Sequence, residues 1–344
     1  MERTQVDHVT LDDIAARAGV SRATVSMALR GSPKISVKRT DEIHRIARQM
    51  GYSPNVNASR LAGTTSSAFG VLLADLHNPI MSDIVDGFAP ANEDEPPEMY
   101  LASGFNDVER ERTSLDTFLA HRVAGIVLIG SRLAVAQIQH LAKTVPTVVV
   151  GRNIPGVDSV LVDDKSGGDL AAEHLLKLGH RRLAHLDGGT GAGAQLRKEA
   201  FLQRVASVKP AAVRVLLGNY TQSSGYAGAK ELFASRDRPT AIFAANDSMA
   251  LGVLGAAREC HLMAGVDFAL CGFDDIDIAC YGYISLTTIS YSRQEMGHVA
   301  RRLLRDRIGD VNLPARTVEL QPSLIVRGTS CSAPMAASAD ESPH

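Results

Sequence analysis

The chain has 344 residues, 22% of them charged, and a formal net charge of −2; the length accommodates more than one domain, and the charge is neither polybasic nor strongly acidic. No apolar run reaches the ~18 residues of a membrane-spanning helix, and the N-terminus is charged, which argues against a membrane span or a secretory signal and predicts a cytoplasmic protein. The four cysteines, at positions 260, 271, 280 and 331, lack metal-ligand spacing and fit a reducing compartment without disulfides.

Residues 10–31, TLDDIAARAGVSRATVSMALRG, read as two short helices joined by a tight turn. Thr10, with Asp13 three residues on, makes a capping-box pair that starts the first helix at Leu11. Ile14, Ala15 and Ala18 form its apolar stripe, and Gly19 stands where the turn needs a positive φ. Val20 fills the corner. Ser21 caps the second helix, whose inner face is Val25, Ala28 and Leu29, leaving Arg22, Ala23, Ser26 and Met27 outward. A helix–turn–helix with an outward polar second helix suits a DNA major groove, and an ordinary helical hairpin is the alternative. Charge favours DNA. Residues 1–62 hold ten Lys and Arg against six Asp and Glu, a balance of +4, so the remainder carries −6 of the chain total of −2.

A third helix follows, with Ser36 at its cap, a stripe of Ile43, Ile46, Ala47 and Met50, and Gly51 past its end. Three helices with so few apolar residues lie near the lower size limit for independent folding. Ser53-Pro54-Asn55 then breaks the chain before VNASRLAG, a helix-compatible stretch of about two turns that needs a partner to form, such as DNA or a second copy. The predicted organisation is a head over 1–53, a hinge over 54–66, a core over 67–329 and a small-residue, polar tail over 330–344 that predicts disorder.

The core alternates strands and helices. FGVLLAD precedes a helix from Pro79, MYLASG precedes Val108–Ala120, AGIVLIG precedes Leu133–Ala142, and PTVVVG and DSVLVD precede Gly168–Leu178. RRLAHLD, a helix from Gln195, VRVLLG, Gly225–Phe233, TAIFAA, Ser248–Arg258, FALCGFDD and a helix over Arg293–Asp306 continue the series. Continuous Val/Ile/Leu runs between helices indicate parallel strands covered on both faces. So many units exceed one open sheet and predict two similar α/β, Rossmann-like subdomains with a ligand cleft at their strands' carboxyl ends. The fold class is therefore a small all-α helix–turn–helix head followed by a two-subdomain α/β core.

Gly189-x-Gly191-x-x-Ala194 follows a strand and precedes a helix, as a dinucleotide fingerprint does, but the next strand, VRVLLGN, ends in Asn219 where an acid is required. No nicotinamide or other cofactor is expected. No catalytic triad, paired-carboxylate or metal spacing is readable, and Asp163-Asp164 and Asp274-Asp275 read as strand-end residues.

GVSRATVS, then GYSPN, then Asn55-x-x-Ala58-x-x-Leu61-Ala62 resemble, in order and spacing, the head and hinge of the LacI/GalR family of bacterial transcription regulators. GHRRLAHLDG at 179–188, AIFAANDSMALGVL at 241–254, CGFDDI at 271–276 and LTTI at 286–289 extend the resemblance through a core like that of the periplasmic sugar-binding proteins. The resemblance implies an effector-responsive regulator, a repressor, that binds double-stranded, near-palindromic operator DNA as a homodimer. Arg22, Ala23 and Met27 then face base edges, Ser21 and Thr24 lie near phosphates, and Ser26, Arg30, Asn55 and Ala58 complete the contact surface. Leu61 takes the place of the hinge leucine that wedges into the central base step, where unstacking costs a few kcal/mol. Met27 and Arg30 depart from the family's usual polar residue and asparagine, which leaves the operator sequence open.

The positions that line the effector cleft in sugar-responsive members correspond to Arg197, Tyr220, Asn246 and Asp274, a set suited to a polyol. The alternative is that Arg197 and Asp274 are ion-pair members, Tyr220 is packing and Asn246 is a helix cap. Ile80 and Met81 replace two aromatics common after Asn78-Pro79, and Arg152 lies where a loop reaches the ligand and suits an acidic or phosphorylated sugar. The tail has no leucine heptads, so a dimer is expected rather than a higher oligomer.

Overall fold

The computed structural model describes residues 9–29, 32–52, 68–89, 99–209 and 211–333, and the chain divides into two compact units, 1–65 and 66–344. Arg30 and the hinge residues Asn55, Ala58 and Leu61 lie outside the described residues.

The first unit contains α1 (Leu11–Ala18), α2 (Arg22–Leu29) and α3 (Val37–Gln49). The capping box forms as its residues predict. Asp13 N donates to Thr10 Oγ1 at 3.3 Å, and Thr10 N and Oγ1 donate to Asp13 Oδ2 at 2.8 and 2.7 Å. Gly19, at φ 65°, closes α1 in the left-handed region that a side chain would strain. Ile14, Val25, Ala28 and Ile43 are fully buried, joined by Ala15, Ile46 and Ala47. Leu29 and Met50, expected on the inner stripes, are only half-buried at the edge of this core. Ser36 precedes α3 but caps it through its carbonyl, which accepts from the Arg39 and Thr40 amides, and not through its hydroxyl.

The second unit begins with β1 (Phe69–Leu73), α4 (Pro79–Phe88), β2 (Met99–Ser103), α5 (Val108–Ala120), β3 (Gly125–Ile129), α6 (Val135–Ala142), β4 (Thr147–Val150) and β5 (Asp158–Val162). It continues with α7 (Asp164–Lys177), β6 (Arg182–Leu186), α8 (Ala194–Ala206), β7 (Ala212–Leu216), α9 (Gln222–Ala234), β8 (Ala241–Ala244) and α10 (Asp247–Glu259). The last elements are β9 (Ala269–Phe273), a 3-10 turn (Asp277–Cys280), β10 (Thr287–Ser290), α11 (Arg293–Gly309), β11 (Thr317–Leu320) and β12 (Ser323–Ile325).

Two six-stranded sheets result, ordered β11-β5-β4-β3-β1-β2 and β12-β10-β9-β8-β6-β7, and among the described strands only β12 runs antiparallel to its neighbour. The central strands β3, β4, β8 and β9 are buried throughout, as expected where helices cover both faces. The edge strands β2, β7 and β11 are partly exposed.

The chain crosses between the sheets three times. β5 belongs to the first, yet α7 packs on the second; β10 belongs to the second, yet α11 packs on α4 and the first sheet; β11 and β12 then close one sheet each. Hydrophobic side chains form one continuous core cluster through both subdomains, from Val71 and Phe88 to Phe201, Phe243 and Phe273.

The strand and helix alternation follows the sequence reading, but β10 lies where that reading has no strand, α9 starts three residues before Gly225, and three further differences stand out. α7 starts at Asp164, a turn before Gly168, because Asp163 is the cap: its Oδ1 accepts from Ser166 N at 2.9 Å. The strands β11 and β12 fall after the last predicted helix. The packed chain also runs beyond residue 329, correcting the start of the tail expected to be disordered: Ser330 Oγ lies 2.9 Å from Thr287 Oγ1, and Ala333 N donates to Leu178 O. No helix among the described residues is long and apolar enough to cross a membrane.

α4 and α11 pack closely through glycine. A Cβ on Gly297 would lie 2.1 Å from the Ile84 carbonyl oxygen, and one on Gly87 would lie 2.1 Å from that of Gln294. On the exposed face of α10, by contrast, a Cβ on Gly255 would meet only Tyr226 Cδ2, at 3.7 Å. Gly255→Ala should therefore gain roughly 0.5–1 kcal/mol of unfolding free energy, as helical Gly→Ala normally does. Gly297→Ala should lose about 1–3 kcal/mol through overpacking. Urea denaturation of the two variants checks the opposite signs.

Candidate functional site

The polar face of α2 is set by its cap. Ser21 Oγ accepts from Thr24 N at 3.1 Å and lies 2.9 Å from Thr24 Oγ1, which orients the first turn and leaves Arg22 and Ala23 exposed, with Thr24, Ser26 and Met27 half-buried. Arg22 Nη1 lies 3.5 Å from Asp12 Oδ2, with both side chains about two-thirds exposed. So exposed a pair is screened and easily exchanged for another anion.

The second unit holds a cleft of about 820 Å³ at the carboxyl ends of the strands of both sheets. All seven residues singled out for it from the sequence line it: Ile80, Met81, Arg152, Arg197, Tyr220, Asn246 and Asp274. Ile80 and Met81 come from the start of α4, where Asn78 caps the helix by accepting from Ile80 N. They give the first-subdomain wall an apolar patch in place of rings.

Arg197, on the first turns of α8, reaches into the floor of the cleft. Its Nε donates to Asp164 Oδ1 at 2.7 Å and its Nη1 to the Ala245 carbonyl at 2.7 Å, with Asp274 Oδ1 3.7 Å from Nη1. The guanidinium carbon lies 3.4 Å above the Phe273 ring centroid. The side chains of Arg197 and Asp274 are 7% and 3% exposed, so this charge cluster is withdrawn from water. Burial pushes the Asp274 carboxyl up to about 6, against the opposing pull of Arg197 and of the Tyr291 hydroxyl, which donates to Asp274 Oδ1 at 3.0 Å. Behind it, burial and the Asp274 charge push Asp247 well above the usual carboxylate range, while its oxygens accept from Thr288 Oγ1 and Ile276 N. The ion-pair reading of Arg197 and Asp274 and the cleft-lining reading therefore hold together.

Tyr220 and Asn246 show the same double use. Tyr220 donates from its hydroxyl to the Ala192 carbonyl at 2.8 Å. Its ring lies on the loop after β6, where a Cβ on Gly191 would come within 2.1 Å of ring carbon Cε2. Of the two glycines that imitate a dinucleotide fingerprint, Gly191 makes room for the tyrosine ring, whereas Gly189 has positive φ and lies against the Gly218 carbonyl. Asn246 caps α10, accepting from Met249 N at 2.9 Å, and donates to the Tyr220 carbonyl at 3.2 Å. Tyr220 and Asp274 have φ values of 66° and 110°, strained for side-chain-bearing residues and held by these contacts.

Arg152, after β4, donates from Nη1 to the carbonyls of Ser131 and Leu133 at 2.6 and 2.8 Å. The sequence reading missed Asp164, Asn106, Ser131 and Tyr291, all on the lining. Nothing separates Asp164 from its capping neighbour Asp163 until α7 is seen to start between them, and Tyr291 sits in a crossover with no periodic signal. Among the described residues no cluster of three or more His, Cys, Asp or Glu is placed to hold a metal.

The raised Asp274 carboxyl carries a pH signature. Below its unfolded value of 3.8 the group is protonated in both states; between there and about 6 the folded chain binds the extra proton, so stability from this group is lost as pH rises. Asp274→Asn should therefore gain on the parent chain by about 2–3 kcal/mol between pH 4 and 7, read as the difference in denaturation midpoints at each pH.

Residues 10–55 match the family model described as bacterial regulatory proteins, lacI family, and residues 172–330 match a periplasmic binding protein-like domain. The ribose operon repressor of Escherichia coli K12 is 30% identical over 331 residues, covering 93% of this chain and 99% of that protein. The lac repressor dimer bound to operator and the anti-inducer ONPF superposes with a TM-score of 0.81 at 27% identity, covering 94% of this chain and all of that one. A LacI family transcriptional regulator from Enterococcus faecium with bound ribose superposes with a TM-score of 0.71 at 26% identity, over 78% of this chain and all of that one. These relatives are transcription regulators and not enzymes. With its helix–turn–helix unit and its two-subdomain α/β core, the chain belongs to the LacI family of bacterial regulatory proteins.

Proposed function

We propose that the protein is a cytoplasmic, homodimeric repressor whose affinity for a near-palindromic operator is set by a sugar or sugar derivative bound in the core cleft. The observation that carries this reading is the cleft lining, where Arg197 lies 5.7 Å from the centroid of the Tyr220 ring, Asn246 donates to the Tyr220 carbonyl, and Asp274 lines the same cleft. Planar amide and guanidinium groups pair with vicinal hydroxyls, and an aromatic face accepts the C–H side of a pyranose or furanose. Relatives with an operator or a ribose bound support the two halves of the reading.

On the operator, Arg22, Ala23 and Met27 face bases in the major groove, Ser21 and Thr24 lie near phosphates, and Ser26 and Arg30 complete the surface of the head. Asn55, Ala58 and Leu61 contact the minor groove, with Leu61 as the wedge. The direct test is a thermal-shift screen of sugars, sugar acids and sugar phosphates, followed by gel shift of the operator with each hit. Loss of the response on Tyr220→Ala ties the effect to the cleft: at least tenfold more effector should be needed for half the change in operator binding.

Arg22→Ala should weaken the specific operator by about 10–100-fold, the equivalent of one bidentate base contact, and weaken unrelated DNA much less. Parent-chain affinity should fall steeply between 50 and 200 mM salt as counterions are released. A flat salt dependence would remove the phosphate contacts from the reading.

A further inference from the structure

The charges lining the cleft are not evenly satisfied. Each of its carboxylates is occupied: Asp164 by Arg197, Asp274 by Tyr291 and Arg197, and Asp75 by the His77 backbone and ring nitrogens and by Asn106 Nδ2. Two lining guanidiniums on the first-subdomain wall are not. Arg132 and Arg152, at the ends of β3 and β4, have no carboxylate within ion-pairing distance among the described residues. Arg152 spends both Nη1 hydrogens on the carbonyls of Ser131 and Leu133, which fixes the guanidinium and leaves Nε and Nη2 without a protein acceptor among the described residues.

The loop that holds them is itself clamped. Glu111, fully buried on α5, accepts from the Ser131 hydroxyl at 2.5 Å and from the Arg132 amide at 3.0 Å. A carboxylate buried to hold a short loop and a guanidinium pinned on that loop's carbonyls, with a second, exposed guanidinium on the same cleft lining, offer two cationic groups to an anion.

We propose that the effector is an anionic polyol, a sugar acid or sugar phosphate, whose charged end is held by Arg152 and Arg132 while its hydroxyls lie over Arg197, Asn246 and Tyr220. This rests on the reading of the cleft as the effector site and specifies the ligand's chemistry. The carboxylate and phosphate forms share the recognition chemistry, and a matched panel separates them.

The experiment is calorimetric titration of the full chain with ribose and glucose, with ribose 5-phosphate and glucose 6-phosphate, and with ribonate and gluconate, at constant ionic strength. An anionic member should bind at least tenfold more tightly than its neutral parent, with preference for the phosphates or for the acids naming the group. Arg152→Gln should reduce that preference about tenfold. Because Arg152 also holds a loop, Arg132→Gln, whose side chain is exposed and makes no hydrogen bond among the described residues, serves as the second variant and should reduce the preference several-fold with the denaturation midpoint unmoved. Neutral sugars binding as tightly as their anionic partners, or anion affinity untouched by both variants, would overturn the proposal and leave the cleft as a neutral-sugar site. A panel in which no member binds overturns it together with the sugar-effector reading.

Discussion

The Arg197 guanidinium sits at the floor of the cleft with almost all of its charge withdrawn from water, and the geometry around it is what that withdrawal requires. Taking a cation and two carboxylates out of water carries several kcal/mol of desolvation per ion, recovered only where every donor finds an acceptor. Here Nε takes Asp164, Nη1 takes the Ala245 carbonyl, and the flat face takes Phe273. Burial, helped by the neighbouring Asp164 charge, pushes the Asp274 carboxyl up against the pull of Arg197 and of the Tyr291 hydroxyl that donates to it. Such a cluster contributes little net stability, yet removing its one cation, Arg197, leaves buried carboxylates unpaired. Its value lies in fixing a polar floor whose groups cannot drift.

The same cluster joins the segments where the chain passes between subdomains. Asp164 opens α7 directly after the first crossover, and Tyr291 lies inside the second. Arg293, at the start of α11, donates from Nε to Asp83 of α4 at 2.5 Å and from Nη1 to the carbonyls of Asp274 and Asp275. Those two aspartates both have positive φ, so one arginine holds a strained pair of the second subdomain against a helix of the first. The cleft floor therefore lies where two of the backbone connections between the subdomains meet, with the Arg293 bridge close behind Asp274.

Most of the fold was legible because each element carries a local signal. The capping box at Thr10 and Asp13, the glycine at 19 and the unbroken apolar strands GIVLI and AIFA each imply one structure by themselves. What escaped has its cause outside the local sequence. β11 and β12 are short, half-exposed edge strands whose pairing partners, β5 and β10, are far away in the chain, so no periodicity distinguishes them from loop. Asp163 and Asp164 are identical neighbours with opposite roles, one a solvent-side cap and the other a buried ion-pair member, and only the helix start separates them. Glu111 lies on an otherwise unremarkable helix face. Its burial follows from the loop at 131–132 folding over it, which no spacing in α5 reveals. The cleft residues stand at positions that the resemblance marks, whereas the pairing of Arg197 with Asp164 and the seat of Tyr220 on Gly188 and Gly191 depend on contacts between distant segments, which no local pattern encodes.

The head is governed by a different constraint, its size. Its fully packed core among the described residues is seven side chains, of which three are alanines, and the apolar area they remove from water is correspondingly small. In a domain with so little hydrophobic reserve, a helix cap contributing about 0.5–2 kcal/mol is a large fraction of the whole. That explains why polar residues at the ends of α1 and α2 are so tightly bonded: Thr10 and Asp13 make a reciprocal box, and Ser21 and Thr24 bond each other while capping α2. Ser21 and Thr24 then cannot be read as DNA contacts alone, because their hydroxyls already hold the helix that presents Arg22. A substitution at Ser21 or Thr24 therefore acts on the cap of α2 and on the fold of the head.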